Sequence, residues 1–131
     1  MIEFKEDRPI YRQIVDYGLG CILSGSWEPG QRVPSVREMS VQLAVNSHTV
    51  LKAYEFLQDH GLIVARRGMG FYLADDAMER VNEIRREEFF SDRIPALVRD
   101  MKLLHISLSD LNRHLEDALG DGPIKDKIKT T

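Results

Sequence analysis

Two helix starts lie so close together in this chain that only a tight turn can separate the helices they open. Ser35-Val36-Arg37-Glu38 is a capping box, in which the Ser35 hydroxyl and the Glu38 carboxylate each satisfy a backbone amide left free at a helix N-terminus. It predicts a short helix from about Val36 to Leu43. After Ala44-Val45, Asn46 caps a second helix whose Val50, Ala53, Tyr54 and Leu57 fall on one face. Gly61, at ease in a left-handed C-terminal conformation, stops it. Two helices joined this way form a helix-turn-helix.

The flanks extend that motif. Upstream, Asp7 reads as a cap and Pro9 as a first-turn residue of a helix with Ile10, Ile14, Tyr17, Cys21 and Ile22 on one face. Gly25 ends it, and Trp27-Glu28-Pro29-Gly30 reads as a turn leading to a short strand through Gln31-Arg32-Val33. Downstream, Leu62-Ile63-Val64-Ala65-Arg66 and Phe71-Tyr72-Leu73-Ala74 are strand-like runs separated by Arg67-Gly68-Met69-Gly70, which is hairpin chemistry. Three helices and a hairpin describe a winged helix. The expected fold is mainly α with a small β-wing, with an N-terminal winged helix-turn-helix over residues 1–75.

From Asp75 the strand formers vanish and a helical stripe runs through Ala77, Val81 and Ile84. Phe90, Ile94, Leu97, Met101 and Leu104 then recur at spacings of four and three, the pattern of a helix packed on another helix. Pro95 lies inside that stripe and predicts a kink or break near Ser91 to Ile94. Ser107-Leu108-Ser109-Asp110 resembles a capping box and opens a last helix with Leu108, Leu111, Leu115 and Leu119 on one side. Gly120 to Gly122 and Pro123 end it, and the remainder reads as a frayed tail. Residues 76–131 are therefore expected to form a C-terminal helical hairpin. Its stripes are too extensive to hide within the hairpin, so Phe90, Ile94, Leu97, Met101, Leu104, Leu108, Leu111 and Leu115 are candidates for pairing with a second copy. Packing back onto the winged helix is the competing reading.

Composition bounds the function. A length of 131 residues, 43% hydrophobic and 30% charged, suits one globular domain with a small appended element. No apolar run approaches the roughly 18 residues of a membrane span, and the start lacks the features of a signal peptide, so no membrane partner and a cytoplasmic location are expected. The single cysteine, Cys21, excludes an internal disulfide or a thiolate zinc site, and its place on an apolar stripe makes it core rather than a redox switch. His114 and Asp117 share a helix face, but a solvated surface is the better reading than a metal site. No nucleophile with a base, paired buried carboxylates or phosphate-cradling loop occurs at convincing spacing, so no catalytic residue, metal or cofactor is assigned. The net charge of −3 rules out nucleic-acid binding by bulk positive charge. A local excess remains: Arg32, Arg37, Lys52, Arg66 and Arg67 against Glu38, Glu55 and Asp59 between Gln31 and Gly70.

Four motifs in order, Gly25-Ser26-Trp27-Glu28-Pro29-Gly30, Val33-Pro34-Ser35-Val36-Arg37-Glu38, Asn46-Ser47-His48-Thr49-Val50 with Lys52-Ala53-Tyr54, and Arg66-Arg67-Gly68-Met69-Gly70-Phe71, resemble the GntR family of transcription regulators. The short C-terminal part resembles its YtrA-type subfamily. The resemblance covers about Pro9 to Leu119. It departs at Ser47-His48, where YtrA-type relatives commonly carry Pro-Asn, and at His105, where relatives tend to have Gly.

The resemblance implies a sequence-specific regulator, most simply a repressor, that binds a near-palindromic double-stranded operator as a homodimer through its C-terminal helices. A helix lying in a major groove shows its outer face to base edges, here Ser47, His48, Thr49 and Lys52 behind Asn46. Capping alone is the competing reading for Asn46, and the two are compatible. Arg37 in the first turn of the preceding helix would hold a phosphate or a guanine edge, with an exposed arginine beside Glu38 as the competing reading, and Ser35 at that helix start is counted with the DNA-binding residues. Arg66, Arg67, Gly68 and Gly70 would form a basic wing along the minor groove. An effector is left unassigned. The rival function is a winged-helix adaptor that binds protein, which the acidic total charge favours.

Overall fold

In the computed structural model, which describes residues 8–120, the first helix α1 is Ile10–Ser24. Pro9 is its N-cap rather than a first-turn residue, and Asp7 lies outside the described residues. The buried face is Ile14, Val15, Gly18, Leu19 and Ile22. The expected stripe is therefore rotated: Ile10 is exposed, and Tyr17 and Cys21 are half-buried at its edge. Gly18 explains the rotation. A Cβ there would sit 3.3 Å from the Trp27 ring and 3.4 Å from Leu57, so the close approach to neighbouring elements runs through this residue. Gly25 ends α1 at φ 83°, and the Gln31 amide donates to Glu28 O at 3.0 Å to close the turn containing Pro29 and Gly30.

Helix α2, Val36–Leu43, and helix α3, Ser47–Asp59, occupy the predicted positions. The capping box is formed in both directions: Glu38 N donates to Ser35 Oγ at 3.0 Å, and Ser35 N donates to Glu38 Oε1 at 2.9 Å. Val50, Ala53, Tyr54 and Leu57 are buried, as their spacing predicts. Between the helices, Ala44 takes a left-handed conformation, φ 54° and ψ 47°, and its amide bonds back to α2.

Strands β1, Ile63–Arg66, and β2, Gly70–Leu73, pair antiparallel, with Ile63 opposite Leu73 and Arg66 opposite Gly70. Gly70 thus belongs to the ladder rather than to the loop, which shortens the loop to Arg67-Gly68-Met69. The Met69 amide donates to Arg66 O at 2.9 Å across it, and Gly68 supplies the positive φ of 74°. The segment before α2 joins the same edge: Val33 N donates to Phe71 O and Leu73 N to Gln31 O, each at 2.9 Å. Phe71 meets Tyr54 edge-on at 5.4 Å, and Trp27 meets Tyr54 at 6.4 Å, which ties hairpin, turn and α3 into one core.

Helix α4, Ala77–Glu88, adds Ala77, Val81 and Ile84 to that core. The chain divides into two compact units, Met1–Arg86 and Glu87–Thr131. In the second, a π-helical turn, Phe89–Arg93, precedes helix α5, Ile94–Leu104, which has Pro95 in its first turn. This is the predicted irregularity. Proline has no amide for the helical ladder, and the Ile94 amide reaches Phe89 O, one residue further back than an α-helix requires. His105 ends α5 in a left-handed conformation, φ 57°. Helix α6, Leu108–Gly120, starts with Asp110 N donating to Ser107 Oγ at 3.1 Å. Asp110 itself accepts from Arg113, so the second bond of a capping box is replaced by an ion pair. The expected end at Gly122 and Pro123 and the tail beyond lie outside the described residues. None of the described residues of α5 and α6 is buried, and Leu103, Leu104 and Leu108 are each at least 67% exposed.

Candidate nucleic-acid interface

The N-terminal turn of α3 is built by Asn46. Its Oδ1 accepts the His48 amide at 2.7 Å, and its backbone carbonyl accepts the Thr49 and Val50 amides at 3.0 and 3.2 Å. The cap uses the amide oxygen and leaves the Asn46 NH2 as a donor. Ser47 and His48 are exposed and Thr49 half-buried, so this end of α3 presents short polar groups beside a positive helix terminus.

Lys52 lies differently from a freely projecting cation. It is exposed, but its Nζ sits 4.2 Å above the Tyr11 ring of α1. One turn on, the Arg12 guanidinium covers the Phe56 ring at 4.5 Å. These two cation–π contacts cross between α1 and α3, and they hold the outer edge of α3 against its support.

Arg37 occupies the first turn of α2 and is exposed, with no ion pair to any described residue. Ser35, half-buried, is occupied as the cap acceptor. The capping interactions depress the Glu38 pKa: the Ser35 amide contributes most, then the Ser35 hydroxyl, with Arg32 adding to both. An ionised carboxylate therefore stands next to Arg37. On the wing, Arg66 is folded over the Tyr72 ring at 4.1 Å, whereas Arg67 and Gly68 are exposed at the tip. Arg32 is the basic residue that the spacing argument left out of the site: its Nη2 lies 3.2 Å from Glu38 Oε1. Its only local signal was its place in the basic excess between Gln31 and Gly70.

Cys21 is half-buried at the edge of the core, and burial pushes its thiol pKa up. Among the described residues no three His, Cys, Asp or Glu side chains converge to hold a metal ion, and no helix is long and apolar enough to cross a membrane.

Residues 10–73 match the family of bacterial regulatory proteins called gntR. The HTH-type transcriptional regulator YhcF of Bacillus subtilis is 31% identical over 109 residues, which cover 83% of this chain and 88% of YhcF. The chain belongs to the GntR family. A second relative of this GntR regulator, the HTH-type transcriptional repressor YtrA of Bacillus subtilis, is 29% identical over 120 residues and 92% of each chain. The DNA-binding domain of AraR, solved in complex with operator ORX1, matches 56% of this chain and 95% of its own at 28% identity and a TM-score of 0.53. As a GntR-family transcriptional regulator, the chain is not an enzyme.

Proposed function

We propose that this chain represses transcription as a homodimer, each subunit laying α3 into a major groove of a near-palindromic operator. The observation that carries the reading is the polar end of α3, with Asn46, Ser47 and His48 exposed and Thr49 half-buried ahead of a buried face that anchors the helix. Ser35 and Arg37 flank it, and Lys52 extends it once its ammonium leaves Tyr11. Arg66, Arg67, Gly68 and Gly70 follow the minor groove beside it. The operator complex of AraR and the repressor name of YtrA support the same reading.

Residues 1–75 serve the DNA and residues 76–131 the pairing. One such module neutralises few phosphates and binds weakly at physiological salt, so two on one duplex are needed. The apolar residues of the π-helical turn, α5 and α6 supply the means: Phe90 in the turn and Leu104, Leu108 and Leu115 in the helices are exposed, and Ile94, Leu97, Met101 and Leu111 are half-buried with no buried neighbour in either helix. A regulator of this kind acts in the cytoplasm, and its effector is not assigned.

The test is a gel shift of the full chain on its own upstream region at low and high salt, with light scattering at micromolar concentration. Salt-weakened, sequence-selective binding by a dimer is expected, and Arg37→Ala should cost about tenfold or more in operator affinity without unfolding the chain. A monomer, or binding with neither salt dependence nor selectivity, overturns the reading and leaves the protein-binding adaptor.

A further inference from the structure

We propose that Arg32 is an additional DNA-backbone contact, placed between the wing and the start of α2; this rests on the DNA-binding reading above. Arg32 stands opposite Tyr72 in an isolated antiparallel bridge, so its side chain shares the face of the hairpin that carries Tyr72 and the stacked Arg66 guanidinium. Two neighbours hold its own guanidinium. One edge donates to Glu38 Oε1 at 3.2 Å. The other lies against the hairpin at Gly70: a Cβ there would be 3.2 Å from Arg32 Nε. Gly70 is thus required twice, for its φ of 101° and for the room it leaves.

Held this way, the side chain is still 48% exposed and keeps unused N–H donors, because a guanidinium has five and the carboxylate takes one. The position has an electrostatic purpose. Glu38 is exposed and held ionised, one residue from Arg37 at the α2 terminus, where it repels any phosphate brought to that surface. Arg32 cancels that charge and offers its remaining donors in the fork geometry that suits a phosphate. A lysine or arginine that only filled the hairpin edge would need neither the carboxylate nor the open face.

Salt dependence reads this directly. Anisotropy titrations of the full chain use its upstream duplex and an unrelated duplex of equal length, between 50 and 200 mM salt. Arg32→Gln should weaken both duplexes several-fold by similar factors and flatten the log affinity against log salt by about 0.9 per subunit engaged. Arg32→Lys, which keeps the charge, should retain the native slope. As a measurement that needs no variant, the Arg32 Nε–H NMR signal should shift when either duplex is added. A native slope in Arg32→Gln, even with lower affinity, or an unmoved Nε–H signal, overturns the inference and leaves Arg32 as a brace for Glu38. Failure of the native chain to bind either duplex would instead overturn the DNA-binding reading, and this inference with it.

Discussion

The Tyr54 hydroxyl donates to the Pro34 carbonyl at 2.6 Å, joining the middle of α3 to the residue that precedes the N-cap of α2. Burial raises the phenol pKa, so Tyr54 remains a donor at any ordinary pH. The bond ties α3 to the segment that leads into α2, the helix whose first turn carries Arg37. Tyr54→Phe keeps the ring contacts with Trp27 and Phe71 but leaves the Pro34 carbonyl without this donor. A stability loss of about 1 kcal/mol with an unchanged denaturant slope is expected in urea unfolding.

Ala44 is a non-glycine residue in the left-handed region, φ 54°, at the turn between α2 and α3. That conformation costs an L-residue roughly 1–2 kcal/mol, and glycine escapes it at an entropic cost of about 0.5–1 kcal/mol. Ala44→Gly should therefore stabilise the chain by about 0.5–1 kcal/mol, and Ala44→Val should destabilise it. Equal melting temperatures for Ala44→Gly and the native chain would contradict the assigned turn.

Glu38 has its pKa lowered below the usual 4.5, first by the Ser35 amide and then by the Ser35 hydroxyl. A depressed folded pKa gives stability that is complete above the unfolded value and is lost as pH falls through the folded one. The capping contribution should thus be constant from neutral pH to about pH 5 and fade below pH 4.5. Glu38→Gln should remove that part of the acid limb and lower neutral-pH stability by the same small amount, because glutamine completes the capping box without the charge. Thermal melts between pH 3 and 7 compare the two curves.

Leu115 is 44% exposed on α6, on the stripe that the dimer reading covers. A twofold axis counts each buried leucine twice, at about 1.5–3 kcal/mol each. Leu115→Asp should raise the dimer dissociation constant on the order of 100-fold or more while leaving the winged helix folded. Sedimentation velocity reports the first and circular dichroism the second; an unchanged dimer would move the interface elsewhere.

The elements legible in the sequence are those whose cause lies within a few residues. The capping box at Ser35 and Glu38, the Asn46 cap, the buried face of α3 and the backbone irregularity before Pro95 all follow from hydrogen bonds or steric limits inside one or two turns, and all appear in the fold. The turn at Ala44 gave no such signal, because alanine opposes the conformation that the two helices impose on it. Periodicity also misjudged α1: the tertiary approach at Gly18, set by Trp27 and Leu57, turned its buried face away from Ile10. For the site, spacing identified which residues share the outer face of α3, but not that Lys52 rests on Tyr11 or that Arg32 reaches both Glu38 and the hairpin at Gly70. Those contacts join residues distant in the chain, and an exposed cation's partner depends on which elements the core brings alongside it. Local chemistry determined the helices and their caps; only packing decided which charged groups stand free and which are held.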